Sequence, residues 1–142
     1  MSTSATAIRQ ADTEGYVQNH DAIVEVMNRY SEGVRTGSSA VMKPAFHPAA
    51  TFFGYYQGNL LAGPIQMLFD WVDANGPSSN LRDRIASVDI HGTIAVVRVE
   101  LENLTGKAVG GDAGARLSDL FQFIRIDGEW KISQKSFHWH NS

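Results

Sequence analysis

The chain has no cysteine among its 142 residues. That removes disulfides, thiol nucleophiles and thiolate metal sites together. Charge is also sparse: 19% of the residues are charged, for a net charge of −3, and the lysines and arginines stand singly. Without a basic face or stripe, no nucleic-acid partner is expected. No apolar run approaches the roughly 18 residues of a transmembrane helix, so no membrane partner is expected either. Met1 to Gln10 is rich in Ser, Thr and Ala, without the apolar centre of a secretory signal. With the missing cysteines, this fits a reducing compartment, and the cytoplasm is the expected location. Gly58, Gly63, Gly110, Gly111 and Gly114 form no phosphate cradle between a strand and a helix, and the serines form no nucleophile elbow. No cofactor is expected.

What remains is an ordinary globular composition, 43% hydrophobic and 10% aromatic, long enough for one domain that buries about 68% of its unfolded surface. Residues 1–19 read as a flexible N-terminal segment and residues 20–140 as a single domain. Ile23, Val26, Met27, Tyr30 and Val34 recur at helical spacing, which predicts a helix from Asp21 to Thr36, capped by Asn19 or Asp21 and stopped by Gly37. A shorter helix is expected over Ala40 to Phe46, ended by His47-Pro48. Ala50 to Tyr56 reads as a strand and Leu60-Leu61 as a short return strand. Pro64 to Asn75 reads as a helix with proline in its first turn. Arg82 to His91 and Thr93 to Asn103 read as a hairpin around Gly92, followed by a glycine-rich loop over Thr105 to Gly114.

The last stretch, Ala115 to His140, carries the most information. Two runs of aromatic and β-branched residues flank Asp127-Gly128, the dipeptide a type I′ hairpin turn favours. A two-residue turn pairs Ile126 with Glu129, Ile124 with Lys131, Gln122 with Ser133 and Leu120 with Lys135. Strand alternation then puts Leu120, Gln122, Lys135, Phe137 and Trp139 on one face, and Asp119, Phe121, Phe123 and His138 on the other. Neither face is purely polar, so both are expected to be covered. Helices first and strands last argue for an α+β fold.

This element order resembles the nuclear transport factor 2-like, or SnoaL-like, superfamily. Phe46-His47-Pro48-Ala49-Ala50 and the run from Asp119 to His138 resemble its branch named for lumazine binding. The resemblance implies a cystatin-like α+β cone, with N-terminal helices packed on a curved, mostly antiparallel sheet around a cavity. It also implies a homodimer through the outer sheet face. Steroid-isomerase relatives carry a proton-shuttling aspartate on the first strand and a second carboxylic acid on the penultimate strand. Aligned here, those places hold Gly54 and Gln122, so isomerisation by that carboxylate pair has no support.

The residues leave three functional readings. The first is a protein that binds a small hydrophobic or aromatic molecule in an apolar pocket lined by Tyr30, Phe53, Tyr56, Trp71, Leu120, Gln122, Phe137 and Trp139. The second is a lyase or isomerase. Its proton shuttle would be His138 oriented by Asp119, its diagonal neighbour, or a desolvated Lys135. The third is a dimeric interaction module, which a cavity below about 300 Å³ would favour. His138 and His140 share a strand face, but no carboxylate–histidine cluster of ligand spacing accompanies them, and no metal is expected.

Overall fold

The computed structural model describes residues 15–109 and 114–140. Helix α1 (Tyr16–Thr36) leads through a short helix α2 (Ser39–Met42) and a 3₁₀ turn (Lys43–Ala45) into strands β1 (Phe46–Tyr56) and β2 (Asn59–Pro64). Helix α3 (Gln66–Asn75) follows, then β3 (Arg82–His91), β4 (Ile94–Leu104), β5 (Ala115–Ile126) and β6 (Glu129–Trp139). One six-stranded sheet has the order β2-β1-β6-β5-β4-β3. Every neighbouring pair is antiparallel except β1 with β6. This is the α+β architecture expected, with the helices against one face of a mostly antiparallel sheet.

The helical face of α1 drives that packing. Ile23, Met27, Tyr30 and Val34 are buried and Val26 is partly buried, so the 3.6-residue periodicity maps onto the core as read. Leu68, Phe69 and Val72 of α3 are buried beside Ile65, which precedes the helix. From the sheet, Val97, Val99 and Leu101 of β4 meet Phe121 and Phe123 of β5 on the same inner face.

Several boundaries differ from expectation. Pro64, read as the first turn of a helix, instead ends β2 opposite Thr51, and α3 begins at Gln66. Three further differences have a local reason. Helix α1 begins at Tyr16, five residues before Asp21 and inside the segment read as flexible; residues 1–14 of that segment lie outside the described residues. Asn19 is no cap. Its side-chain oxygen accepts from Trp130 Nε1 (3.2 Å) and Arg125 Nη1 (3.0 Å), pinning the added first turn to the sheet. The second helix stops at Met42, because Pro44 opens a 3₁₀ turn. Strand β1 then starts at Phe46, four residues early, and passes Pro48 at an irregularity in its pairing with β6. Strand interiors tolerate proline where the ladder is already interrupted. Gly110 and Gly111 lie outside the described residues.

The terminal hairpin turns as read. Asp127 (φ 51°) and Gly128 (φ 82°) both take positive φ, the type I′ requirement. Ile126 pairs with Glu129 and Ile124 with Lys131. Beyond Phe123–Ile132 the register slips: Gln122 pairs with Gln134, Phe121 with Lys135 and Asp119 with Phe137. Ser133 is the extra residue of a β-bulge, and its hydroxyl donates to the Gln122 carbonyl (3.2 Å). Because strand faces alternate with period two, one inserted residue reverses every face assignment beyond it. Lys135, Phe137 and Trp139 therefore join Asp119 and Phe121 on the inner face.

Candidate functional site

Between the inner sheet face and helices α1 and α3 lies a partly open cavity of about 200 Å³. Of the sequence-predicted pocket residues, Tyr30, Tyr56, Trp71, Phe137 and Trp139 line it, together with Lys135. Four candidates lie elsewhere. Leu120 (47% exposed), Gln122 and His138 project from the outer face of β5 and β6, and Phe53 (43% exposed) from the outer face of β1. The bulge at Ser133 separates Leu120 and Gln122 from Lys135, with which the straight register had grouped them. Phe53 is misplaced by alternation alone. If Tyr56 points inward, so do Gly54 and Phe52, and it is Phe52 that lines the cavity. The aliphatic walls from Met67, Leu101, Leu104 and Leu117 were not anticipated, since nothing in their sequence separates them from plain core.

At the cavity wall sits a buried cluster drawn from three elements. Tyr30 of α1 donates its hydroxyl to Asp119 Oδ2 of β5 at 3.0 Å. Lys135 Nζ of β6 lies 3.6 Å from the same oxygen. Asp119 is the diagonal neighbour of Lys135 across the hairpin, the relation assigned to His138 by the unbulged register. None of the three side chains reaches bulk water: Tyr30 is 2% exposed, Asp119 0% and Lys135 3%. Lys135 is the one charged side chain among the described residues lining the cavity. Its Nζ sits 5.2 Å from the Tyr30 ring centroid, 5.3 Å from Phe52 and 5.5 Å from Phe137, an aromatic box that suits a cation or a polarisable amine.

Burial dominates the electrostatics. It pushes the Lys135 ammonium below the ordinary lysine range and the Asp119 carboxyl above the ordinary aspartate range, and their mutual attraction offsets only part of either shift. Both displacements favour the neutral amine and the neutral acid. Tyr30 is held well above its usual value, first by burial and then by the neighbouring Asp119, so it stays a hydrogen-bond donor. Asp119 Oδ1 has no hydrogen-bond partner among the described residues. An unpaired buried carboxylate oxygen is costly.

Close approach of two strands sets the box. A Cβ placed on Gly54 would fall 2.3 Å from the Phe137 ring. Glycine there lets Phe137 lie flat across β1 and stack on Phe52 (centroids 5.0 Å apart, 25° between planes). Where the steroid-isomerase comparison places a catalytic carboxylate, this chain has an aromatic wall. The inward carboxyl of β5 is Asp119, not the Gln122 position. On the outer face the His138 ring packs edge-on against His140 (4.7 Å), away from Asp119.

The family model described as "Putative lumazine-binding" matches residues 18–138. The chain belongs to that family. Two solved structures of nuclear transport factor 2-like proteins of unknown function are similar to this member. The one from Shewanella baltica OS155 is 37% identical, with a TM-score of 0.79 over 92% of this chain and 100% of that one. The one from Methylobacillus flagellatus KT is 39% identical, with a TM-score of 0.81 over 91% and 98%. Among curated proteins, "Aldolase FrzH" from Cladobotryum sp is 29% identical over 119 residues, 84% of this chain and 90% of the relative. No helix among the described residues of this nuclear transport factor 2-like protein is long and apolar enough to cross a membrane.

Proposed function

We propose that this protein binds a small, neutral carbonyl compound in its cavity and acts on it as a carbon–carbon lyase of the aldol type. Lys135, Asp119 and Tyr30 are the working groups. The observation that carries the reading is the buried Lys135–Asp119 pair set into an otherwise apolar wall. Buried ion pairs stabilise little and are often improved by apolar replacements, so a conserved-volume apolar pair would serve a merely structural wall better. An amine whose proton affinity is lowered by burial, beside an acid whose affinity is raised, is suited to take and return a proton. The relative named an aldolase supports the same reaction class.

Size restricts the ligand. About 200 Å³ is little more than the roughly 150 Å³ in which an engineered cavity holds benzene. It suits one ring with a short arm and is too small for a pteridine bearing a sugar chain. Charge restricts it further, because an anionic ligand at Lys135 would meet the Asp119 carboxyl behind it. The direct test is cleavage of 4-hydroxy-4-phenylbutan-2-one to benzaldehyde and acetone. Wild-type protein is expected to release benzaldehyde faster than buffer, and Lys135→Met to lose about 100-fold or more of that rate. Equal rates for the two proteins would contradict the reading.

The interaction-module reading has two observations in its favour, the first being the cavity's volume of about 200 Å³. The outer sheet face also exposes Ile94, Val96, Leu120 and Phe53, apolar groups that suit a homodimer through that face.

A further inference from the structure

We infer that the Lys135 amine condenses with a one-ring aldehyde held in the cavity, forming an iminium ion that pairs with Asp119. The inference rests on the carbonyl-ligand reading above and names the covalent step within it.

Geometry carries it. Lys135 Nζ is the one basic atom among the described residues that line the cavity, and the aromatic faces of Tyr30, Phe52 and Phe137 surround it at 5.2–5.5 Å. A ring entering beside Phe52 and Phe137 brings an attached aldehyde carbon toward Nζ. The amine is desolvated, so its lone pair is not shielded by water, and burial lowers the fraction held as ammonium. Asp119 stands 3.6 Å behind it, and the Tyr30 hydroxyl fixes that carboxyl from the other side. Tyr30 is thus a positioning residue for Asp119.

The step balances within these groups. The nitrogen lone pair forms a C–N bond with the aldehyde carbon, and the carbonyl π pair moves to oxygen. One amine proton transfers to that oxygen, giving a neutral carbinolamine. The Asp119 acid then protonates the hydroxyl, the C–O bond breaks, and water leaves. The nitrogen lone pair closes the C=N bond. Aldehyde, neutral amine and neutral acid become water, iminium and carboxylate, so the cluster changes from a neutral pair to an ion pair without net charge entering the cavity. An ion pair in contact is the charged arrangement a buried site tolerates best. The same condensation at the ketone carbon of a β-hydroxyketone gives the iminium that serves as electron sink for aldol cleavage.

The chain has an internal control, because its lysines are only four: Lys43, Lys107, Lys131 and Lys135. Lys43 and Lys107 are exposed, and Lys131 lies on the same strand with its Nζ on the Pro44 carbonyl (2.8 Å). The experiment treats the full chain with benzaldehyde and sodium cyanoborohydride at pH 7, followed by peptide mapping. In parallel, tryptophan fluorescence records binding of benzyl alcohol, which fits the cavity but forms no iminium. Lys135 is expected to gain the mass of the aldehyde less its oxygen at least about tenfold faster than Lys131. Asp119→Asn is expected to slow that labelling while leaving Lys131 unchanged. The wild-type ratio needs no variant, so a Lys135→Met protein that fails to fold does not spoil the test. Labelling of Lys135 no faster than Lys131, with benzyl alcohol still bound, overturns the covalent step and spares the pocket reading. Even labelling with no benzyl alcohol bound overturns both.

Discussion

At the scale of single residues, the site turns on two side chains that composition alone would place on the surface. A lysine and an aspartate with 3% and 0% exposure each lose their hydration, and contact between them returns part of it. Removing one partner is therefore worse than removing both. Lys135→Met is expected to destabilise the fold by about 3 kcal/mol, because the Asp119 carboxyl is left buried without its amine partner. The Asp119→Leu/Lys135→Met double variant should be at least as stable as wild type, by about 1 kcal/mol or more. Urea unfolding of the four proteins of this cycle measures both, and a double variant weaker than either single one would contradict the assignment. The pH dependence has a definite sign. Lys135 is lowered in the fold, so between its folded value and the roughly 10.4 of an unfolded lysine the unfolded chain binds the extra proton, and stability rises with pH. Asp119 is raised, so between the roughly 3.9 of an unfolded aspartate and its folded value the folded chain holds the extra proton, and stability falls as pH rises. Both slopes should vanish in the double variant.

At the scale of elements, the terminal hairpin shows what a sequence does and does not reveal. The Asp127-Gly128 turn was legible because positive φ at both positions favours few residue types. The α1 face was legible because five apolar residues at helical spacing have no other common use. The bulge was not. An extra residue in a strand leaves the alternation intact on each side and changes only the phase between them. The one trace was the adjacent polar pair Ser133-Gln134 between two inward residues, Ile132 and Lys135. Missing it exchanged Lys135 for His138 as the partner of Asp119. The contact between β1 and β6 gives a prediction at this scale. Gly54→Ala drives a methyl group into the Phe137 ring. It is expected to cost about 1–3 kcal/mol and to weaken benzyl alcohol binding as the ring is pushed into the cavity. Adding Phe137→Leu to Gly54→Ala should recover most of the stability. Full stability of Gly54→Ala alone, by thermal melting, would show that the strands part more easily than their packing indicates.

At the scale of the whole molecule, the fold supplies what the cluster needs. A six-stranded sheet brings β5 and β6 side by side at its centre, α1 lays Tyr30 across them, and α3 closes the apolar side. No segment holds more than one member of the cluster except the hairpin, which holds two. Element order revealed this architecture, and with it the family, but cavity volume and the depth of Lys135 are properties of packing that no local pattern carries. The most direct measurement is an NMR titration of the lysine side chains, four resonances in all, with and without benzyl alcohol. One resonance, assigned to Lys135 by its loss in Lys135→Met, should titrate below the roughly 10.4 of an unfolded lysine and shift most when the alcohol binds. Four lysines titrating together near the ordinary value, with no shift at Lys135 on addition of the alcohol, would contradict a desolvated amine at the wall of a ligand cavity.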